Sequence, residues 1–362
     1  MNSHHQKSGI SKIGFRLLAF CLAVTSLAAC GPSTVLPTDS TMNITENAGQ
    51  PTTPPPPPET QAPQVSAPAT AANKPLATGT LPQAPASTQT FLPLVTATSA
   101  PKIRFAVIGD FGLDGKPEAD VANLVKSWQP DIVITVGDDN YPSGAASTID
   151  QNIGQYYSDF IHPYVGKFGP GAPDNRFFPT LGNHDWLAKN AQPYLDYFTL
   201  PGNERYYEFA LGPLDFFALD ADSHEPDGVS AGSKQASWLK DRLAASVSPW
   251  KIVYFHQAPY SSGPHGPTDY MQWPFREWGA SVVLSGHDHD YERLLVDGLT
   301  YFVNGLGGGA IYSFNAIYPG SQARYNGDYG AMLVEADSQQ MTFQFINRKG
   351  KVIDTYTQNI GH

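Results

Sequence analysis

Only two residues of the 362 are cysteine, Cys21 and Cys30, and both stand near the N-terminus. The remainder of the chain can carry neither a disulfide framework nor a thiolate metal site. Any metal must therefore be held by His, Asp, Asn or Tyr. Basic residues are also few: 22 Lys+Arg against 33 Asp+Glu leave a formal net charge of -11. Electrostatic capture of nucleic acid needs a basic face that displaces counterions, so no nucleic-acid partner is expected. An acidic protein still binds a phosphoester where bound cations reverse the local sign. Long apolar runs are missing too, since the stretch from Leu17 to Ala29 falls short of the ~20 residues a membrane span requires.

What is present divides the chain in three. Lys7, Lys12 and Arg16 precede the apolar stretch, and small residues end it, which predicts a signal peptide over residues 1–29. Leu27-Ala28-Ala29-Cys30 resembles a bacterial lipobox, which predicts cleavage before Cys30, lipid attachment there, and an exported protein held at the cell envelope or secreted. Several acyl chains on one cysteine anchor a protein stably where a single chain does not. From Cys30 to about residue 100 the sequence is rich in Pro, Thr, Ala and Ser, with the proline run Pro54 to Pro58. With little to bury, such a segment cannot offset its ordering entropy, and a disordered tether is expected.

A folded domain is expected over residues 101–362. Lys102 to Ile108 reads as a β-strand ending at Gly109-Asp110, and Pro117 to Trp128 as a helix with Val121, Leu124, Val125 and Trp128 on one face. Further strands are expected at Ile132 to Val136, Phe177 to Leu181, Lys251 to Phe255 and Ser281 to Leu284. Tyr206 to Leu211 and Phe216 to Leu219 suggest a hairpin around Gly212-Pro213. A helix is expected from Lys234 to Ala245, and a strand meander from Ala331 to Tyr356. The pattern is α/β with an antiparallel tail.

Polar blocks recur just past the ends of the apolar strands, where open α/β sheets assemble their sites. In order they are Gly109-Asp110-Phe111-Gly112, Gly137-Asp138-Asp139-Asn140-Tyr141, Gly182-Asn183-His184-Asp185, the lone His256, and Gly286-His287-Asp288-His289. Each offers hard oxygen or imidazole donors, which suit two adjacent divalent or trivalent ions. A single such block is an ordinary turn. All of them in sequence, each at a strand end, point to a metal site.

These blocks resemble the signature of the calcineurin-like metallophosphoesterases, and in detail that of the small, single-domain purple acid phosphatases. In the wider superfamily the first block carries a His two residues after its Asp; here Gly112 stands there, and Tyr141 in the second block compensates. The resemblance implies an α-β-β-α sandwich, two packed mixed β-sheets flanked by helices. It implies a dinuclear centre, Fe(III) with Fe(II), Zn or Mn, in which Asp110, Tyr141 and His289 bind one ion. Asn183, His256 and His287 would bind the other, with Asp138 bridging. A hydroxide held between the ions would be the nucleophile, and His184 and His265 match the family's non-ligand histidines for substrate binding and leaving-group protonation. Plant forms carry a second His after the latter, where this chain has Gly266. The implied activity is phosphomonoester hydrolysis; phosphodiester or nucleotide hydrolysis on the same metals, and a non-catalytic surface-binding lipoprotein, are the alternatives.

Overall fold

The computed structural model describes residues 102–361. The expected leader, Cys30 and the tether lie outside the described residues. Strands β1 (Ile103–Ile108), β2 (Ile132–Thr135) and β3 (Phe177–Phe178) run parallel, with β2 between the other two. The C-terminal meander of β11 (Gly330–Ala336), β12 (Gln340–Asn347) and β13 (Val352–Asn359) adds to β1 antiparallel, completing a six-stranded sheet in the order β13-β12-β11-β1-β2-β3.

The second sheet has seven strands. Its β4 (Tyr207–Leu211) and β5 (Leu214–Ala218) form the expected hairpin, turning at Gly212. Parallel to β5 lie β6 (Trp250–Gln257), β7 (Val282–Gly286) and then β9 (Leu299–Asn304). Next, β8 (Tyr291–Val296) pairs antiparallel with β9, and β10 (Ser321–Tyr325) antiparallel with β8, finishing the sheet as β10-β8-β9-β7-β6-β5-β4.

The two sheets pack face to face through aromatic rings. Phe105 of β1 meets Phe216 of β5 edge-on at 5.1 Å, Phe302 of β9 meets Phe343 of β12 at 4.8 Å, and Tyr291 of β8 stacks on Phe345 of β12 at 4.3 Å. The period of two along β6 sets its faces: Ile252 and Tyr254 join this inner core, while Val253 and Phe255 join an outer one. The outer core is closed by the helix Lys234–Ala245 through Ala236, Leu239 and Leu243. Ser233 caps that helix, its hydroxyl accepting the Ala236 N–H at 3.1 Å. On the other sheet the helix Lys116–Ser127 buries Val121 and Val125. The result is the two-sheet sandwich with flanking helices that the resemblance implied. Its layers bring the C-terminal ends of β1, β2 and β3 beside those of β6 and β7.

Candidate metal centre

Every block singled out in the sequence lies at this shared edge. Asp110 follows β1, Asp138 and Tyr141 follow β2, Asn183 and His184 open a one-turn helix after β3, and His287 and His289 follow β7. His256 departs slightly from expectation: β6 runs on to Gln257, so this ligand candidate lies within the strand rather than past it. Three of these residues, Asp110 (φ 53), Asp138 (φ 53) and His287 (φ 73), adopt left-handed backbone that side-chain-bearing residues seldom use. Such conformations persist where the surroundings over-determine them, typically at functional sites.

Backbone amides fix the two aspartates. Asp138 accepts the His184 N–H on Oδ1 at 2.9 Å, and Asp110 accepts the His287 N–H on Oδ2 at 3.0 Å. Each carboxylate is left with one oxygen facing the centre. Asp110, Asp138 and His289 bring their donor atoms within 4.8 Å of one another. The Tyr141 hydroxyl lies 3.3 Å from Asp110 Oδ1, 2.9 Å from Asp138 Oδ2 and 3.0 Å from His289 Nε2. A second group gathers on His256, whose Nε2 is 3.1 Å from Asn183 Oδ1 and 3.2 Å from His287 Nδ1. Asp138 Oδ2 belongs to both groups, lying 3.4 Å from His256 Nε2. Thus all seven candidate ligands meet in two clusters that share one carboxylate oxygen.

The tautomers test whether this set fits a metal. His256 Nδ1 faces the Val136 carbonyl at 2.8 Å, and His289 Nδ1 faces the Ala310 carbonyl at 2.5 Å, so in each ring Nδ1 carries the proton. The His256 Nε2 lone pair therefore points at the Asn183 amide and Asp138 carboxylate oxygens, and that of His289 at the Asp110 carboxylate and the Tyr141 hydroxyl. Lone pairs facing lone pairs at such distances repel unless a cation lies between them. The electrostatics agree. Burial alone would lower the His256 pKa, yet the Asp138 and Asp110 carboxylates outweigh it and push it up to about 10. The carboxylates call for positive charge at this point. His287 is pushed down to about 2 by burial and by His256 and His265, which keeps its imidazole neutral and able to donate. Burial, with Asp110 and Asp138 alongside, drives the Tyr141 phenol far above its ordinary value. Only a strong Lewis acid would ionise it there. The donor set fits a pair of metal ions.

Glycine explains the departure in the first block. A Cβ on Gly112 would come within 1.7 Å of the Asp139 carbonyl oxygen. The Tyr141 N–H donates to the Gly112 carbonyl at 2.7 Å, so the second block lies directly on this backbone. The loop that delivers Tyr141 leaves no room for a side chain at position 112. Gly112→Ala is expected to cost about 1–3 kcal/mol of stability, measured by urea unfolding, and to loosen the Tyr141 loop. Unchanged stability would mean that this packing is not tight. Gly137 (φ 84) is constrained similarly, since a Cβ there would meet the His256 ring at 2.7 Å.

The two histidines outside the clusters sit at the mouth. His184 Nδ1 faces the Pro142 carbonyl at 2.6 Å, and its Nε2 lies 3.9 Å from Asp138 Oδ2. The exposed His265 stacks on His287 at 4.1 Å and 26°. Asp288 holds the neighbouring loop by accepting the His265 N–H at 2.9 Å and the Ser261 hydroxyl at 2.5 Å. Asp185 likewise receives backbone N–H groups, from Gly182 at 2.9 Å and Asp139 at 3.1 Å, and no histidine. Its burial near Asp138 pushes its pKa up to about 7. His224 pairs with Asp222 at 2.6 Å and stacks on Trp186, apart from both clusters. Tyr312 went unnoticed in the sequence, yet it stacks flat on His289 at 4.1 Å and 5° and reaches the edge of His265 at 5.7 Å. Nothing in its local pattern distinguishes it from any loop tyrosine.

Comparison with known proteins gives the chain a family. A calcineurin-like phosphoesterase family profile matches residues 103–291. Tartrate-resistant acid phosphatase type 5 from Homo sapiens is 25% identical over 309 residues, covering 72% of this chain and 92% of that protein. Purple acid phosphatase 17 from Arabidopsis thaliana is 26% identical, covering 55% of this chain and 65% of that protein. Among solved structures, a purple acid phosphatase from yellow lupin (Lupinus luteus) seeds superposes with a TM-score of 0.59 at 19% identity, over 72% of this chain and 54% of that one. GAP50, the anchor in the inner membrane complex of Plasmodium, superposes with a TM-score of 0.58 at 20% identity, over 73% and 90%. With the profile matched and the donor clusters assembled, the chain belongs to the calcineurin-like phosphoesterase family, a metal-dependent phosphoester hydrolase whose relatives are purple acid phosphatases.

Proposed function

We propose that this site hydrolyses phosphomonoesters, as an acid phosphatase with Fe(III) beside Fe(II), Zn or Mn. The observation that carries the reading is the pair of donor clusters sharing Asp138 Oδ2, with a phenol in one of them. Asp110, Tyr141 and His289 would hold the trivalent ion, since hard anionic oxygens suit it. Asn183, His256 and His287 would hold the other, with Asp138 common to both. Two such ions, when bound, supply a hydroxide nucleophile near neutral pH and neutralise charge on the transferring phosphoryl group.

The protein's own part is positioning and proton handling. Val136 and Ala310 carbonyls fix the tautomers of His256 and His289. The Pro142 carbonyl does the same for His184, which turns its Nε2 toward the centre. His184 and His265 bind the substrate and protonate the departing alkoxide. In this reading residues 101–362 are the catalytic domain, residues 1–29 a leader, and Cys30 the lipid attachment point that holds the enzyme at the cell envelope. Support for the last two is the sequence Leu27-Ala28-Ala29-Cys30 and its basic, apolar approach. Among the described residues no helix is long and apolar enough to cross a membrane.

A second reading keeps the fold as a surface-binding lipoprotein without catalysis, and the Plasmodium anchor that shares the fold is in its favour. The intact donor set weighs against it. The iron assignment is tested by the visible spectrum of the purified protein beside that of Tyr141→Phe. A phenolate-to-iron charge-transfer band in the wild type and none in the variant is expected. A colourless protein holding only Zn or Mn would sink the iron assignment and leave a general two-metal hydrolase. Turnover of phosphomonoesters beside phosphodiesters decides between the two substrate classes.

A further inference from the structure

Beside His265 the surface opens into a cleft of ≈ 310 Å³. One wall is the His265 loop itself, with Pro264, Gly266 and Pro267; the other is Ile317, Tyr318 and Pro319. No charged side chain lines it, in a chain whose net charge is -11. Ile317 is 49% exposed, an apolar side chain left open to water. The walls are nevertheless held firmly. Fully buried Glu292 accepts the Ser262 N–H at 2.7 Å and the Ser262 hydroxyl at 2.6 Å. Ser262 in turn receives the Tyr318 N–H on its hydroxyl at 2.8 Å and the Asn315 N–H on its carbonyl at 2.7 Å. Fully buried Asp288 anchors the His265 side of the same loop. Two buried carboxylates thus pin the opposing loops to each other and to the strand end that carries His287 and His289. That is a preformed cleft rather than an accidental gap between mobile loops.

We infer that this cleft receives the alcohol portion of the substrate, and that it selects phosphomonoesters of apolar alcohols. The inference rests on the phosphatase reading above. With His265 protonating the departing alkoxide in that reading, the ester oxygen faces His265, whose ring lies over His287. The alcohol attached to that oxygen then passes between Pro264 and Gly266, the neighbours of His265, into uncharged walls. A polyol or a charged alcohol loses hydration there and meets no charged partner, with Asn315 the one amide side chain in the lining. An alkyl or aryl group leaves water for apolar contact, each buried CH₂ favouring it.

Hexyl phosphate and glycerol 3-phosphate test this, because both leave as primary alkoxides and differ mainly in polarity. The wild type should show kcat/KM at least about tenfold higher for hexyl phosphate, as a few buried methylenes allow. Ile317→Asp should cut that ratio by about tenfold, chiefly through the KM for hexyl phosphate, and Ile317→Leu should retain it. A ratio that is near one in the wild type, or that Ile317→Asp leaves unchanged, overturns the inference while the phosphatase reading stands. Metal-loaded wild type that turns over neither ester overturns that reading and the inference with it.

Discussion

Asp138→Asn is expected to lower kcat/KM on a phosphomonoester by about 10³-fold or more, because it removes the charge both metals would share. Asp138 Oδ2 is the atom that reaches both donor clusters, 2.9 Å from the Tyr141 hydroxyl and 3.4 Å from His256 Nε2. An amide in its place is neutral and can turn its donor face toward those groups. The fold has little reason to fail, since asparagine keeps an oxygen for the His184 N–H that Asp138 Oδ1 now accepts at 2.9 Å. The measurement is kcat/KM together with metal content per chain, and both should drop. Activity within tenfold of the wild type would show that the two clusters do not share this residue in catalysis.

His184→Asn and His265→Asn are each expected to cost about 10²- to 10⁴-fold in kcat on alkyl phosphates, the usual range for a lost proton donor. The loss should shrink on aryl phosphates with acidic alcohols, because a stable leaving anion needs less help. That dependence separates proton donation from simple binding, which would raise KM for both kinds of ester alike. His184 is the better positioned for the centre, with Nε2 3.9 Å from Asp138 Oδ2. His265 is the better placed for what lies outside it, flat against His287 and next to the apolar cleft. Equal losses on alkyl and aryl esters in both variants would remove proton transfer from their role.

Most of the donor residues were legible in the sequence because four of the five blocks begin with a glycine at the end of an apolar run, a pattern that survives without knowledge of the sheet order. The lone His256, inside β6, has no such glycine. The helix Lys234–Ala245 was equally plain, since an amphipathic stretch follows a serine cap. The expected strand Phe177 to Leu181 proved to be two paired residues, Phe177–Phe178, because Thr180 turns its hydroxyl and amide to Thr135 rather than to a ladder. The hairpin of β8 and β9 went unread, although Asp297 (φ 49) and Gly298 (φ 75) form the Asp-Gly turn that marks a two-residue connection. Its first strand begins two residues after His289, so ligand block and hairpin overlap in one short stretch of sequence. Other features have no local signature at all. The carbonyls of Val136 and Ala310 set two imidazole tautomers through backbone atoms that every residue possesses. Tyr312 reaches His289 only because the loop after β9 folds back over the site. The matched span, residues 103–291, contains all seven candidate ligands, while the loops around Ile317 follow no motif.

If these donors hold two ions that carry the hydrolysis, removing and restoring the metals must switch turnover off and on. Metal content and phosphomonoester turnover would be followed on the same protein, stripped with a chelator and then titrated with iron and zinc. The expected result is no turnover when stripped, and activity that returns as the content approaches two ions per chain. Turnover that survives complete metal removal, or a fully loaded protein inert toward every phosphoester, would contradict it.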